Sequence, residues 1–318
     1  MSQSDITLFT SIPPRMSRIV QGRDFGRSWQ TACVKSWNDA GFRVVSLNPP
    51  EEIDGLRKSA SSVKFLPIPE GIQRPRTWDF FEAAKASRSK VAGIINADCM
   101  ILPQAGIIEH LRTDIDGVVI AERLNLSNKN FVPTGSSCFG FDAFFFDVAA
   151  LEFLEKDEHW RIGEVWVDYW IPLAFHLAGF SIKTMPAPVL LHLDHDIAWD
   201  LVKWERHFPK LVDFVRRHGG LRSDKRVSDE LLRSRTLNRQ EVTTLQHLLF
   251  NWLRSHEPLW RPEPGTLDDL TTSLLCSFAT PKMSRYEAFR SSMRQFVDAF
   301  GLRRPLHALG LVKRRVTL

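Results

Sequence analysis

Several motifs are missing from this sequence of 318 residues, and each absence excludes a class of protein. The four cysteines are widely spaced and form no Cys-x-x-Cys pair, which argues against a zinc knuckle and a disulfide framework and favours buried free thiols in a reducing compartment. No Gly-x-Gly-x-x-Gly segment follows the first predicted strand and no Gly-Lys-Ser/Thr segment occurs, so the dinucleotide fingerprint and the P-loop are both absent. A phosphate-bearing ligand would need another device, and a divalent cation held by a carboxylate is the usual one.

Long apolar runs are missing too. No window approaches the roughly 18 to 20 apolar residues that a membrane span requires, and the N-terminus has no basic segment followed by an apolar stretch, as a secretory signal would. These two absences predict a cytoplasmic protein. The net charge is +5, but the basic residues cluster late and the first half is rich in acids, so no nucleic-acid groove is predicted.

The order of apolar segments predicts an α/β fold. Short apolar runs alternate with amphipathic ones through the first 200 residues, which is typical of βαβ units and of a doubly wound, mainly parallel sheet. Predicted strands cover Ile6–Ser11, Phe42–Leu47, Val63–Ile68, Val91–Ile95, Gly117–Ala121, Ser181–Thr184 and Val189–Leu193, and predicted helices cover Phe25–Ala40, Glu51–Ser59, Arg76–Ser87, Gln104–Arg112 and Trp160–Ala178. A long polar loop is predicted over Asn125–Gly140. The sequence thus predicts an α/β domain over 1–200 and a helical C-terminal region over 201–318.

Polar residues follow the predicted strands where ligands bind in open α/β sheets, beyond the carboxyl ends. The candidates for holding a phosphate-bearing ligand are Thr10, Ser11, Arg15, Asn48, Arg76, Asn96 and Asp98. Asp98 ends a buried apolar strand, so its charge would be held rigidly at the sheet edge. The alternative is that Asp98 caps the N-terminus of a following short helix.

Three segments in this order carry a resemblance to a known family: IINADCMI, IGEVWVDYWIPLAFHLAG and HLDHDIAW. Over about residues 5 to 200 the chain resembles GT-A glycosyltransferases, whose Asp-x-Asp motif follows the fourth strand and binds a metal bridging the donor diphosphate. Here the motif is Asn96-Ala97-Asp98. The resemblance implies that Asp98 binds Mn²⁺ or Mg²⁺ together with His195 or His192, of which His195 is favoured, and that Asn96 contacts the ribose or a bound water.

The same resemblance places an acceptor-activating acid near the start of the second segment. It implies Asp168 as the general base if the reaction inverts the anomeric carbon, with Glu164 as the competing candidate; under retention, Asp168 would position the acceptor. Asp142, Trp166 and Trp170 are the substrate-binding candidates, because sugars stack on aromatic rings and hydrogen-bond to carboxylates. The alternative is that Trp166 and Trp170, four residues apart, form a core stripe of a helix.

The resulting hypothesis is a metal-assisted glycosyltransferase of polysaccharide biosynthesis that moves a sugar from a nucleotide-diphosphate donor to a hydroxyl of a glycan or glycolipid. A non-catalytic carbohydrate-binding protein remains an alternative, since Asn96 replaces an acid. A sugar-phosphate nucleotidyltransferase is a second alternative, although such enzymes carry a glycine-rich basic loop where this chain has Ser-Ile-Pro-Pro-Arg. The basic segment Phe296–Leu318 has two interpretations, a packed helix with a solvated end or peripheral contact with the inner membrane face.

Overall fold

The computed structural model describes residues 5–20, 22–102, 106–113, 115–127, 133–136, 140–185, 189–195, 201–221, 224–233 and 238–261. The strands are β1 Thr7–Thr10, β2 Ile19–Val20, β3 Arg23–Asp24, β4 Arg43–Asn48, β5 Lys64–Pro67, β6 Val91–Ile95, β7 Cys99–Ile101, β8 Val118–Ala121, β9 Arg123–Leu126, β10 Pro133–Ser136, β11 Ala143–Asp147, β12 Ile182–Thr184 and β13 Leu190–Leu193. The α-helices are α1 Gly26–Asp39, α2 Pro50–Ser59, α3 Thr77–Ala86, α4 Ile107–Thr113, α5 Val167–Leu177, α6 Leu201–Arg217, α7 Lys225–Arg233 and α8 Arg239–Arg254, and a 3-10 helix spans Val148–Phe153.

A seven-stranded sheet forms the centre, in the order β12-β8-β11-β6-β1-β4-β5. Four of its strand pairings are parallel, and only β11 runs antiparallel to its two neighbours. Helices connect the parallel strands and cover the sheet, as helical crossovers require. The predicted α/β class with a mainly parallel sheet is confirmed.

Both faces of this sheet are buried. Alternate side chains of one strand enter different hydrophobic clusters, as Leu8 and Phe9 do on β1, because successive residues of a strand point to opposite faces. Gly93 lies opposite Phe145 in the β6–β11 pairing, and a Cβ at Gly93 would lie 2.6 Å from the Phe145 ring. The glycine therefore makes room for an aromatic ring in the middle of the sheet.

A second sheet has four strands, in the order β10-β9-β13-β7, and it includes part of the segment that the sequence predicted as a polar loop. The loop prediction over Asn125–Gly140 is wrong for β10 and the end of β9. The reason is visible in the alternation of β9, whose leucines Leu124 and Leu126 are buried while Arg123 and Asn125 are half-buried. The strand is also paired on both edges, to β10 and β13, which satisfies its backbone groups.

The predicted helix over Trp160–Ala178 is also too long, because α5 begins only at Val167. Gly163 and Trp166 both have left-handed φ values, 80° and 72°, which interrupt a helix before that point. Glu164 consequently lies in the turns ahead of α5, and Asp168 lies in its first turn.

Within the described residues after 200 there are three helices, α6 to α8, and the helical prediction for the rest of 201–318 stays a prediction. Trp204, Leu211 and Leu249 belong to the same hydrophobic cluster as the strands of the main sheet. The boundary at 200/201 stays a prediction. Within the described residues, no helix is both long enough and apolar enough to span a bilayer. The basic segment Phe296–Leu318 lies outside the described residues. Of the four cysteines, Cys33 and Cys99 are buried free thiols, and Cys138 and Cys276 lie outside the described residues.

Candidate active site

A cavity of about 1230 Å³ opens at the carboxyl ends of the parallel strands. Its walls come from the loop after β1, the end of β4, the turn after β6, the approach to β11, the start of α5, the end of β13 and one face of α8. This is where ligands are expected in an open α/β sheet. The residue-level geometry decides what this cavity can bind.

The Asn96-Ala97-Asp98 segment is a tight turn that carries the chain from β6 in the main sheet to β7 in the second sheet. The Cys99 amide donates to the Asn96 carbonyl at 3.1 Å. Two indoles of α1 fix the turn from behind: Trp29 donates to the Asp98 carbonyl at 2.8 Å and Trp37 to the Cys99 carbonyl at 2.9 Å. Since a strand follows this turn, the alternative in which Asp98 caps a helix is wrong.

Asp98 meets two histidines at the junction of the two sheets. His192 lies in β13 opposite Cys99 of β7, and its Nε2 is 3.2 Å from Asp98 Oδ2. The Nε2 atom of His195, just beyond the strand, is 3.6 Å from the same oxygen. Among the described residues, these three side chains form a group whose ligand atoms lie within 4.8 Å of one another.

The hydrogen bonds around His192 determine which ring nitrogen has a lone pair. Arg123 Nε donates to Asn125 Oδ1 at 3.0 Å, which fixes this atom as the amide oxygen because a guanidinium cannot accept. His192 Nδ1 lies 3.0 Å from the same oxygen and must therefore donate to it. Burial lowers the pKa of His192 below its usual value, although Asp98 opposes this effect. With Nδ1 bonded to Asn125, the ring presents Nε2 to Asp98 and His195; this nitrogen donates to Asp98 when it carries a proton and offers a lone pair to a metal ion when it does not.

Burial alone would raise the pKa of the Asp98 carboxyl. The hydrogen bonds from His192 and His195 and the charge of Arg18 outweigh this effect, so the pKa of Asp98 lies well below its ordinary value. Arg18 Nη2 forms an ion pair with Asp98 Oδ2, the oxygen that both histidines approach. Asp98 is therefore a carboxylate at neutral pH.

Asn96 contacts a second carboxylate rather than Asp98. Its amide Nδ2 donates to Asp142 Oδ1, and Arg123 Nη1 donates to the same oxygen at 2.8 Å. The backbones are also joined, because the Asn96 amide donates to the Asp142 carbonyl at 2.9 Å. Asp142 is buried, so an amide and a guanidinium together supply the donors that a buried carboxylate requires.

Asp168 is a carboxyl group whose charge is disfavoured. Burial and the nearby charge of Asp142 raise its pKa from 3.8 to about 7, against the weaker effect of the Phe141 amide and Arg123. Gly140 lies directly against it, since a Cβ at this glycine would be 2.4 Å from Asp168 Oδ2. Asp168 lines the cavity together with Asp142 and Asp98.

The two candidate sugar-stacking tryptophans occupy different places. Trp166 lines the cavity but is 2% exposed, and its indole donates to the Trp204 carbonyl at 2.7 Å. Trp170 is fully buried against Phe81 and Trp160, so its ring lies in the core and not in the cavity wall. Glu164 lines the cavity.

Of the candidates for holding the nucleotide, some line the cavity and others do not. Ser11, Arg15 and Asn48 line the cavity. Thr10 is fully buried, and Arg76 heads α3, where Asp79 at 3.1 Å and Glu158 at 2.8 Å hold its guanidinium. The guanidinium of Arg76, which was expected to bind a phosphate, is therefore already paired with two carboxylates.

Asn48 has a supporting position in this wall. Ser46 Oγ donates to Asn48 Oδ1 at 2.6 Å and accepts from the Ile12 amide at 2.9 Å. Asn48 Nδ2 donates to the Ile12 carbonyl at 2.8 Å and to Glu52 at 3.0 Å. These bonds fasten the loop after β1 to the end of β4.

Sequence reasoning missed several cavity residues. Arg18 and Arg74 lie in irregular segments without a distinguishing pattern. Arg123 lies ahead of the predicted loop and Asn125 is its first residue, yet the alternation Arg-Leu-Asn-Leu is a strand signal that would have placed both on one face. The α8 residues Arg239, Thr243, Gln246 and His247 also line the cavity, and their spacing of four, three and one residues identifies a single helix face.

No protein-family profile matches the chain. No curated protein matches it by sequence. Solved structures do match: S. aureus TarS 1-349 in complex with UDP-GlcNAc is 10% identical with a TM-score of 0.46, over 97% of this chain and 93% of that one. The mannosyltransferase PcManGT from Pyrobaculum calidifontis, in complex with GDP-Man and Mn²⁺, is 10% identical with a TM-score of 0.42, over 97% of this chain and 84% of that one. The inositol-1-phosphate CTP transferase from T. maritima is 12% identical with a TM-score of 0.39, over 68% of this chain and 97% of that one.

Proposed function

We propose that the protein is a glycosyltransferase that moves a sugar from a nucleotide-diphosphate donor to a hydroxyl acceptor. One observation carries the proposal: a single cavity contains both a carboxylate with two histidines suited to a divalent cation and a separate carboxyl group with a pKa of about 7. The first group suits a leaving diphosphate, and the second suits removal of a proton from an acceptor.

Asp98, His192 and His195 are the residues that would hold Mn²⁺ or Mg²⁺. The donor set fits such an ion because the carboxylate is ionised and His192, whose Nδ1 is bonded to Asn125, presents its Nε2 beside that carboxylate. When bound, the cation would stabilise the negative charge that develops on the leaving diphosphate.

The donor's nucleotide and diphosphate are assigned to the wall beside this group. Ser11 and Asn48 supply polar groups there, and Arg15, Arg18 and Arg74 supply positive charge. Arginine binds phosphate oxygens through two parallel hydrogen bonds, which both hold and orient a diphosphate.

Asp168 is assigned as the general base. As the acceptor oxygen bonds to the anomeric carbon, the bond to the diphosphate breaks and the acceptor proton passes to a carboxylate oxygen of Asp168. A base with a pKa near the working pH is the most effective, and such a group contributes about 10² to 10⁴ in rate. This role assumes inversion at the anomeric carbon.

The acceptor is assigned to the wall formed by α8 and the segment before α5. Thr243, Gln246 and His247 face the cavity from α8, and Glu164 faces it from the turn before α5. Polar groups of this kind form hydrogen bonds with the hydroxyls of a glycan or glycolipid headgroup.

Isothermal calorimetry and turnover assays of two isosteric variants test the assignment. Asp98→Asn should weaken binding of UDP or GDP in the presence of Mn²⁺ by at least tenfold, because the single charged ligand is lost. Asp168→Asn should bind the same nucleotide normally, while sugar transfer falls by about 10² to 10⁴ because the base is lost.

A panel of UDP-, GDP- and CMP-sugars, with and without Mn²⁺, identifies the donor in the same experiment. Glu164→Gln is the comparison for Asp168→Asn, since it removes the competing candidate base from the same cavity. Normal donor binding and turnover by Asp98→Asn would show that the site is assigned wrongly. Sugar binding without any nucleotide binding would indicate a carbohydrate-binding protein instead.

A further inference from the structure

Arg18 is held firmly in place by the small hairpin of β2 and β3. Asp24 accepts from the Arg18 amide at 2.9 Å and from Ser17 Oγ at 3.0 Å, and the Phe25 amide donates to the Arg18 carbonyl at 2.7 Å. Gly26 follows directly, where any Cβ would collide with the Met16 carbonyl. The backbone of Arg18 is therefore fixed close to the turn that carries Asp98.

The side chain of Arg18 is directed into the cation-binding group. It is 11% exposed, its Nη2 pairs with Asp98 Oδ2, and its Nη1 donates to the Ser17 carbonyl at 2.7 Å. Its Nε is buried and, within the described part of the chain, has no hydrogen-bond partner. Arg18 thus neutralises the charge of Asp98 while its Nε–H group makes no hydrogen bond to the described residues.

The charges at this group are balanced before any metal binds. Asp98 supplies the only carboxylate of this three-residue group, since the other two members are histidines. Its neighbour Asn96 is neutral and adds no further charge. The guanidinium of Arg18 contacts the same oxygen that His192 and His195 approach. A divalent ion that enters must share this oxygen with a positive charge or displace it, and like charges a few ångströms apart repel strongly in a partly buried site.

We infer that Arg18 is a built-in counter-ion that competes with the divalent cation for Asp98, so that the cation is bound tightly only together with an anionic diphosphate. This inference rests on the proposed function. The diphosphate supplies the negative charge that the site lacks, and it offers oxygens to the guanidinium, including the unused Nε–H, as a bidentate partner. Arg18 then leaves Asp98 for the diphosphate, and Asp98 becomes available as a metal ligand.

The inference makes a prediction about metal binding without nucleotide. Removing the charge of Arg18 should strengthen binding of Mn²⁺ alone by about tenfold or more, because a unit charge near the ion no longer repels it. It should also reduce the factor by which UDP or GDP strengthens Mn²⁺ binding. A lysine retains the charge, so Arg18→Lys should bind Mn²⁺ alone much as the unaltered protein does.

Mn²⁺ titration followed by electron paramagnetic resonance tests this prediction, with and without UDP and GDP. The variants are Arg18→Gln, Arg18→Met and Arg18→Lys; the two uncharged replacements differ in polarity, so that either can carry the test if the other fails to fold. Arg23→Gln is the matched control, since it removes the same charge from the hairpin of β2 and β3 at an exposed residue that does not line the cavity. It should leave the affinity for Mn²⁺ alone unchanged.

Mn²⁺ affinity in the uncharged variants that equals or falls below that of the unaltered protein overturns the inference. The nucleotide arm then separates the two proposals. If nucleotide still strengthens Mn²⁺ binding in the unaltered protein, only the role of Arg18 fails. If no variant binds Mn²⁺ or nucleotide under any condition, the proposed function fails with it.

Discussion

The amide at position 96 has a local physical reason. The side chain at this position faces the buried carboxylate of Asp142, to which it donates a hydrogen bond. An aspartate at 96 would place two carboxylates in contact, where at most one can be ionised without a large penalty. The amide therefore belongs to a pair, Asn96 and Asp142, which the sequence alone presents as two unrelated residues.

Asn96→Asp should lower the free energy of unfolding at pH 8 by roughly 2 to 3 kcal/mol, because a buried hydrogen bond becomes a like-charge contact. The double variant Asn96→Asp/Asp142→Asn restores one donor and one acceptor and should recover most of this loss. Urea denaturation at pH 8 measures both. Asn96→Ala, which removes the amide without adding charge, is the control. An equal loss in the single and double aspartate variants would show that the two side chains do not act as a pair.

Asp168 should make stability depend on pH. Because its folded pKa is raised from 3.8 to about 7, the unfolded carboxyl loses its proton between about pH 4 and pH 7 while the folded one keeps it. Stability then falls as pH rises through that window, and the penalty is complete above pH 7.

Asp168→Asn carries no charge at any pH, so it should be more stable than the unaltered protein at pH 8, by roughly 1 to 4 kcal/mol. At pH 4 the difference should nearly vanish, since the aspartate is then protonated in the folded chain. Urea denaturation at the two pH values checks this, with Glu164→Gln as the comparison. A stability gain that is the same at both pH values would contradict the raised pKa.

Among the elements, α8 presents two different faces. Val242, Leu245 and Leu249 are buried in the core, while Thr243 and its neighbours on an adjacent face line the cavity. Two adjacent threonines offer a matched comparison. Thr243 Oγ1 and Thr244 Oγ1 each donate to the carbonyl four residues earlier at 2.9 Å, and both side chains are exposed.

Thr243→Arg should raise the KM for the acceptor by about tenfold, because a long charged side chain would fill the acceptor wall, while donor affinity stays unchanged. The factor corresponds to a loss of about 1.4 kcal/mol in acceptor binding. Thr244→Arg makes the same chemical change on a residue that does not line the cavity and should leave both values unaltered. Steady-state kinetics with varied acceptor measure the effect; equal behaviour of the two variants would remove α8 from the acceptor site.

Sequence patterns predict the bounds of some elements correctly and of others not. Continuous apolar runs such as Val91–Ile95 predict β6 to the residue, because a strand buried on both faces has no polar interruption. The start of α5 was missed by seven residues, from Trp160 to Val167. Local propensity does not reveal that Trp166 adopts a left-handed φ, which its ring contacts with Trp204 and Phe208 support.

For the whole molecule, the fold class and the cavity segments that follow β1, β4 and β6 could be predicted from the sequence, because each depends on a local pattern. The contacts between distant residues could not. Arg18 reaches Asp98 across 80 positions, and Arg123 of the second sheet reaches Asp142 across 19 positions. Arg76 illustrates the reverse case: its position before α3 suggested a ligand, but its charge is taken up by Asp79 and Glu158.

Ligand binding should be visible in the stability of the entire chain. A ligand that binds only the folded state stabilises it by about 2.7 kcal/mol at a hundredfold excess over its Kd. We therefore expect Mn²⁺ with UDP or GDP to raise the Tm by several degrees, and a chelator to remove most of the gain. Differential scanning calorimetry measures this, with Asp98→Asn as the control. No shift with any nucleotide would argue against a nucleotide-dependent enzyme.

Asp98 and His192 are separated by 94 positions and meet only because β7 pairs with β13. Such distant pairing is a slow part of folding, since a long stretch of chain must be ordered before the contact forms. An incompletely folded chain would hold the carboxylate and the imidazoles apart. Retention of Mn²⁺ would thus report that the two sheets have joined, which would make the ion a probe of maturation.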